Sequence, residues 1–278
     1  MSRPGASDNS VAVRMGTEPS RTVRWIILGV VGLVFCIPIV AMLLFSFKAG
    51  LAGGLTLDHW AGLFDEDAAR TYRNLFTGIG NSLLLAVVTV GIVLVVLLPT
   101  MILVHLQFPK LQRTLEFICI IPITVPAIVL VVGLAPVYSI VVSIAGGSIW
   151  TLAFAYGITV LPYAYRAIQS NLDAVDVVTL SEAGRTLSAN WGRILWFVLL
   201  PNLKRGVLAA SFISVAVVLG EFTIASLLNR TNLQTALLQV SQSDPYVAVI
   251  FALLALAFAF ILLISIGRIG RTRTGTSS

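Results

Sequence analysis

Residues 76–105 read FTGIGNSLLLAVVTVGIVLVVLLPTMILVH, a run without a single Asp, Glu, Lys or Arg. A bilayer core is crossed by roughly 20 apolar residues wound as a helix, so this run predicts a membrane span. Working outward, five more apolar runs follow the same rule, at about 25–47, 115–145, 148–165, 207–228 and 247–266. The whole chain of 278 residues is 58% hydrophobic and 11% charged. A soluble domain carries about 25% charged residues, and this chain lacks the polar surface to be one. The expected fold is therefore all-α, a polytopic transmembrane bundle of six spans. The third run is the least regular, because Pro122, Pro126, Gly133 and Pro136 interrupt it. Proline frees backbone carbonyls that neighbouring helices must satisfy.

Orientation follows from Lys and Arg, which accumulate on cytoplasmic loops. With six spans and the N-terminus inside, only Lys48, Arg70, Arg73 and Arg230 of the 18 basic residues lie outside. Both termini are expected in the cytoplasm. Residues 1–23 form a polar, disordered tail, 24–268 the membrane domain and 269–278 a second tail. The first apolar run is too long for a signal-peptide core and has no small-residue cleavage pattern, so it reads as an uncleaved span. The net charge of +6 does not point to nucleic acid, since the basic residues sit between spans rather than on one soluble face. Cys36 and Cys119 lie in apolar runs, outside any Cys/His pattern, and read as two buried thiols with no metal. In the outer connection, 48–75, residues 59–72 are amphipathic and suit a surface helix.

The inner connection, about 166–206, is the most patterned. Its centre, residues 181–201, reads SEAGRTLSANWGRILWFVLLP. Asp173 and Asp176 stand where the helix dipole favours acids, and Leu180, Ala183 and Leu187 recur at helical spacing. Ser188 to Gly192 permits a turn, a second apolar helix follows, and Pro201 ends it. Two readings fit this helix–turn–helix. It docks in a hydrophobic groove of a soluble partner, with Glu182 and Arg185 at the rim, or it rests on the inner leaflet.

These residues resemble the EAA loop of bacterial ABC importer permeases. Glu182-Ala183 matches its opening and Leu200-Pro201 its close, while Gly184 stands where a second Ala is usual. Ser188 stands where Gly is usual, and Ser tolerates positive φ less well than Gly. Residues 81–86, NSLLLA, and Leu161-Pro162-Tyr163 are also similar to the family. The resemblance covers 76–268, with 173–201 as the coupling loop. It implies the type I importer permease fold, in which this chain and a second permease subunit form the pore. Each loop docks on an ATPase dimer, through Glu182, Ala183, Gly184, Arg185, Leu187, Ser188 and Pro201 here. An extracytoplasmic substrate-binding protein delivers the solute from the outer side. The chain has no Gly-x-x-x-x-Gly-Lys-Ser/Thr loop, so it is expected to be no enzyme and to bind no cofactor. ATP and Mg would belong to the partner ATPase. The implied location is the bacterial cell membrane, in a multi-pass arrangement.

Glu221, in VLGEF, is an acid at membrane depth, which marks either a transport pathway or a buried partner. Tyr163 joins it as a candidate for the substrate path, with Trp150, Phe154, Tyr156 and Tyr165 as further aromatics that serve either cation–π contacts or interfacial anchoring. Across its length the chain looks most like the second permease of spermidine/putrescine-type importers, a branch with relatives for ferric iron and aminoethylphosphonate. A rival reading, an ion-coupled secondary transporter, would need Glu221 and the broken third span to form an ion site.

Overall fold

The computed structural model describes residues 20–50 and 53–271. The tail residues 1–19 and 272–278 lie outside them. Helices make up the described structure, and the one β-bridge, Lys48 to Leu55, only closes a loop.

Helix α1 (Arg21–Ser46) starts under a cap in which the Ser20 hydroxyl accepts from Val23 N at 3.3 Å. Its sides are apolar and almost entirely exposed, as a lipid-facing helix requires. It is tied down only at its far end. There Phe45 stacks on Tyr246 at 4.9 Å, and the Trp60 indole donates to the Ser46 hydroxyl at 3.2 Å. Cys36 is exposed on this helix and Cys119 is buried, so only one of the two thiols expected inside is there. The outer connection folds as three single turns, Asp58–Ala61, Gly62–Phe64 and Ala68–Thr71, rather than as one surface helix. Gly62 and the acidic run Asp65 to Asp67 interrupt it.

Helix α2 (Arg73–Gln107) is 35 residues long, about 50 Å at 1.5 Å per residue. The expected third span is two helices, α3 (Gln112–Thr124) and α4 (Ala127–Ala145). Pro126 is the reason. The residue before a proline is driven out of the helical region, and Val125 is extended at φ −94°, ψ 126°. Helix α5 (Ala153–Leu172) is the centre of the molecule and packs on α2 and α3. Ala153, Tyr156, Val160, Ala164, Ile168 and Leu172 form its buried stripe. Its last turns carry Arg166, which is exposed, and the half-buried Gln169 and Asn171, and the helix runs past the expected end at 165.

Helix α6 (Val177–Thr186) and helix α7 (Trp191–Asn202) make the inner helix–turn–helix. The middle of α7, Ile194–Leu199, is wound as a π-helix. At Leu203 the chain bends by 76° into α8 (Lys204–Gly220). The expected fifth span thus ends at Gly220. Two helices not anticipated from sequence follow, α9 (Thr223–Leu227) and α10 (Leu233–Ser243), before α11 (Pro245–Arg271). Two glycines let helices cross closely. A Cβ on Gly206 would lie 2.6 Å from the Asn171 Cβ, where α8 meets α5. A Cβ on Gly78 would lie 2.6 Å from the Asn232 carbonyl, where α2 meets α10.

By length and apolar composition α1, α2 and α4 are each sufficient to cross a bilayer, and α7 with α8 makes a fourth if the bent pair is taken as one. Packing gathers helix ends into two groups. The end of α1, the starts of α2, α5 and α11, and all of α10 meet through Phe45, Ser82, Tyr156, Asn232 and Tyr246. The start of α3 and the end of α5 line one cleft at the opposite pole, the side of α6 and α7.

Candidate functional site

Helix α6 begins on Asp176, whose carboxylate accepts from Thr179 N at 3.0 Å and from the Thr179 hydroxyl at 2.7 Å. These bonds favour the ionised form and lower its pKa, the side-chain bond most. Asp173 has a different task from the one expected. It closes α5, with its carboxylate accepting from the Gln169 amide at 2.7 Å.

The buried face of α6 is Val177, Ser181 and Gly184, with Leu180 beside them. Ala183 and Leu187, placed on the inward stripe by their spacing, are exposed, and Leu187 is 83% so. The face is turned because Gly184 admits Ile194 of α7. A Cβ there would sit 2.9 Å from the Ile194 Cγ1, closer than real contacts allow. The outward face of α6 therefore carries Val178, Glu182, Ala183, Arg185, Thr186 and Leu187.

The turn is a Schellman cap. Ala189 N donates to the Gly184 carbonyl at 3.1 Å and Ser188 N to the Arg185 carbonyl at 2.9 Å. Ser188 occupies the left-handed region, φ 59°, a position that favours glycine. Asn190 then caps α7, its side-chain oxygen accepting from Arg193 N at 2.9 Å. The Arg185 guanidinium lies 6.0 Å from the Trp191 ring centroid, a cation–π contact worth about 0.5–1 kcal/mol at an exposed site. Pro201 stands exposed in the last turn of α7.

At the other end Glu221 breaks the chain between α8 and α9. Its carboxylate accepts from Ile224 N at 2.8 Å and so caps α9. The Glu221 carbonyl accepts from the Asn232 side-chain amide, which also donates to the Tyr156 hydroxyl at 3.1 Å. Asn232 is fully buried and forms a capping box with Thr235 at the start of α10. Leu233 N donates to the Ser82 hydroxyl at 2.8 Å, and Asn81 donates to the Thr231 carbonyl at 2.7 Å. Every member of this hub is thus hydrogen-bonded, as buried polar groups must be.

The hub joins Glu221 to Tyr156 rather than to Tyr163. Tyr163, two turns further along α5, is 39% exposed. The aromatics do not converge either, since Tyr156 and Tyr165 are buried and Phe154 is exposed. Asn232 is not singled out by the sequence, and Tyr156 is expected there only as an aromatic face or anchor, not as a hydrogen-bond acceptor in a hub. The spacing Asn232-x-x-Thr235 is a recognisable cap signature, whereas Tyr156 enters through long-range packing alone. A polar cleft of about 480 Å³, lined by Gln112, Glu116, Arg166, Gln169 and Asp173, opens where the start of α3 meets the end of α5. Among the described residues no group of three or more His, Cys, Asp or Glu could hold a metal ion.

The family model described as "Binding-protein-dependent transport system inner membrane component" matches residues 102–273, a range that includes both helix–turn–helix units. A protein of Sinorhizobium fredii (strain NBRC 101917 / NGR234), described as "Probable ABC transporter permease protein y4fN", is 25% identical over 264 residues. That alignment covers 88% of this chain and 45% of the relative, so the chain spans less than half the relative's length.

Proposed function

This chain belongs to the family of binding-protein-dependent transport system inner membrane components, and from that premise we propose that it is the permease half of an ATP-driven importer whose α6 is the handle for a separate ATPase. The outward face of α6 carries the reading. Glu182, Arg185 and Leu187 are exposed on a short helix whose opposite face is locked to α7 through Gly184 and Ile194. A helix held rigidly, with mixed charge around an unpartnered leucine, suits the helix-in-groove mode of docking. Closure of the ATPase on bound ATP and Mg would pull α6, and the turn at Ser188 would pass that pull to α7 and α8.

In this reading the chain crosses the membrane six times, through α1, α2, the broken pair α3–α4, α5, α8 and α11, with both ends inside. The distribution of Lys and Arg supports that order. A second permease subunit completes the pore, and a substrate-binding protein docks on the outer side, where α9 and α10 lie. For the solute we favour a polyamine, on the resemblance to the spermidine/putrescine branch. Glu221 and Tyr163 are assigned to its path. One carboxylate oxygen of Glu221 caps α9, and the other takes no hydrogen bond among the described residues, so it is available to a passing cation.

The test of the handle replaces exposed groups that do not touch the core. Glu182→Lys with Leu187→Asp should lower ATPase association by about tenfold or more, in the range of buried hot-spot losses, with the thermal midpoint of the chain unchanged. Binding and uptake at the unaltered level would remove α6 from the coupling role. For the path, Glu221→Gln should reduce polyamine uptake by proteoliposomes holding the full transporter. Normal uptake would take Glu221 off the route.

A further inference from the structure

Helix α7 has two faces. Ile194 and Leu199 are buried, with Leu195 and Val198 beside them, and fasten it to α6 and the core. The opposite face presents Arg193, Trp196, Phe197, Pro201 and Asn202 to the surroundings, with Trp196 64% and Phe197 78% exposed. Lys204 and Arg205 follow at once, both exposed, on the first turn of α8. None of these three cations pairs with a carboxylate among the described residues.

We propose that this face, Trp196 and Phe197 flanked by Arg193, Lys204 and Arg205, is a binding surface for anionic phospholipid headgroups of the inner leaflet. It rests on the orientation given above, with α8 crossing the bilayer from this end. The bend of 76° at Leu203 then lays α7 close to the membrane plane, at the level where α8 enters the lipid. Tryptophan and phenylalanine side chains are held at that level by their large rings. Basic residues beside them attract acidic headgroups, each contributing about fivefold to binding near the surface. Charge separates this face from that of α6. The α6 face offers both signs around an exposed leucine, which suits a protein groove. The α7 face offers only positive charge around aromatics, and across the bend at Leu203 it leads directly into the membrane helix α8. The two readings open for this loop thus fall to different halves, the groove to α6 and the leaflet to α7.

The test uses the full chain reconstituted alone into vesicles of phosphatidylcholine, with or without phosphatidylglycerol, one lipid at a time carrying brominated acyl chains. The emission of Trp196 is the difference between the native chain and Trp196→Phe. Brominated phosphatidylglycerol should quench it with an apparent association at least about fivefold, and up to about a hundredfold if the three cations act additively, above brominated phosphatidylcholine. Arg193→Gln with Lys204→Gln and Arg205→Gln should bring that ratio to about one, while the melting midpoint of the chain stays unchanged. Equal quenching of the native chain by both lipids would overturn the headgroup site. Absence of quenching, with shielding of Trp196 appearing only when the ATPase is added, would assign the face to the ATPase instead. Because the vesicles contain no ATPase in the first measurement, failure of the α6 docking reading leaves its outcome untouched.

Discussion

The two helix–turn–helix units, α6–turn–α7 and α9–turn–α10, are closed by the same local chemistry and differ in what surrounds it. In each, a Schellman cap turns on a non-glycine residue in the left-handed region, Ser188 at φ 59° and Asn229 at φ 52°. Arg230 N donates to the Ala225 carbonyl at 2.8 Å, as Ala189 N does to Gly184 in the first unit. In each, an asparagine side chain then starts the next helix, Asn190 or Asn232. Yet Asn190 is exposed and caps only its own helix, whereas Asn232 is buried and bonds to Tyr156 and to the break at Glu221. The same turn stands exposed in one place and serves as a buried keystone in the other. Environment, rather than the motif, decides how much a residue in it matters.

The comparison breaks most visibly at the asparagines. Asn232→Ala removes the cap and leaves the Tyr156 hydroxyl and the Glu221 carbonyl without their donor, so it should cost about 2–4 kcal/mol, read as a large drop in the melting midpoint of the purified chain. Asn190→Ala should cost only about 1 kcal/mol, and equal losses at the two sites would abolish the distinction. Next come the glycines. Gly78→Ala pushes a methyl against backbone, the Asn232 carbonyl, and should cost about 1–3 kcal/mol. Gly184→Ala meets the flexible Ile194 side chain and should cost less, with weakened ATPase association as its second readout. Smaller still, and of opposite sign, Ser188→Gly should stabilise by about 1 kcal/mol by relieving the left-handed strain. Asn229→Gly should gain less, since Asn adopts that region more readily.

The finest test is acid titration of Asp176. Its carboxyl is held below the ordinary value of 3.8 in the folded chain. Its support of α6 is therefore complete above that value and is lost as pH falls through the lower folded one. Amide exchange in the first turn of α6 should accelerate over that acid range, and Asp176→Asn should abolish the dependence.

The long apolar helices α1 and α2 and the helix–turn–helix of α6 and α7 are legible because each is written locally. Thirty residues without charge in 76–105, the acids before α6 and the run SEAGRTLSANWGR need no distant partner to be read. Hydropathy failed where packing or a single backbone restriction takes over. Pro126 splits the third run through one residue's conformation. The face of α6 is rotated by a contact between Gly184 and Ile194 that spacing does not encode, which is why Ala183 and Leu187 stand outside. The two substitutions against the EAA pattern acquire reasons. Gly184 admits Ile194, and Ser188 accepts the left-handed turn with hydrogen bonds on both sides. The hub around Asn232 is the least legible part. Ser82, Tyr156 and Asn232 lie in three separate stretches, and only the fold brings them within 3.1 Å of one another's partners.

The π-wound middle of α7 has a mechanical meaning. A π-turn holds more chain per turn than the α-turns on either side, so Ile194–Leu199 keeps about one residue of slack in the linkage. Released as ordinary α-helix, that residue corresponds to about 1.5 Å of travel and a quarter-turn or so of rotation. In the coupling proposed above, a pull on α6 would be taken up first by this π-turn and only then reach the bend at Leu203.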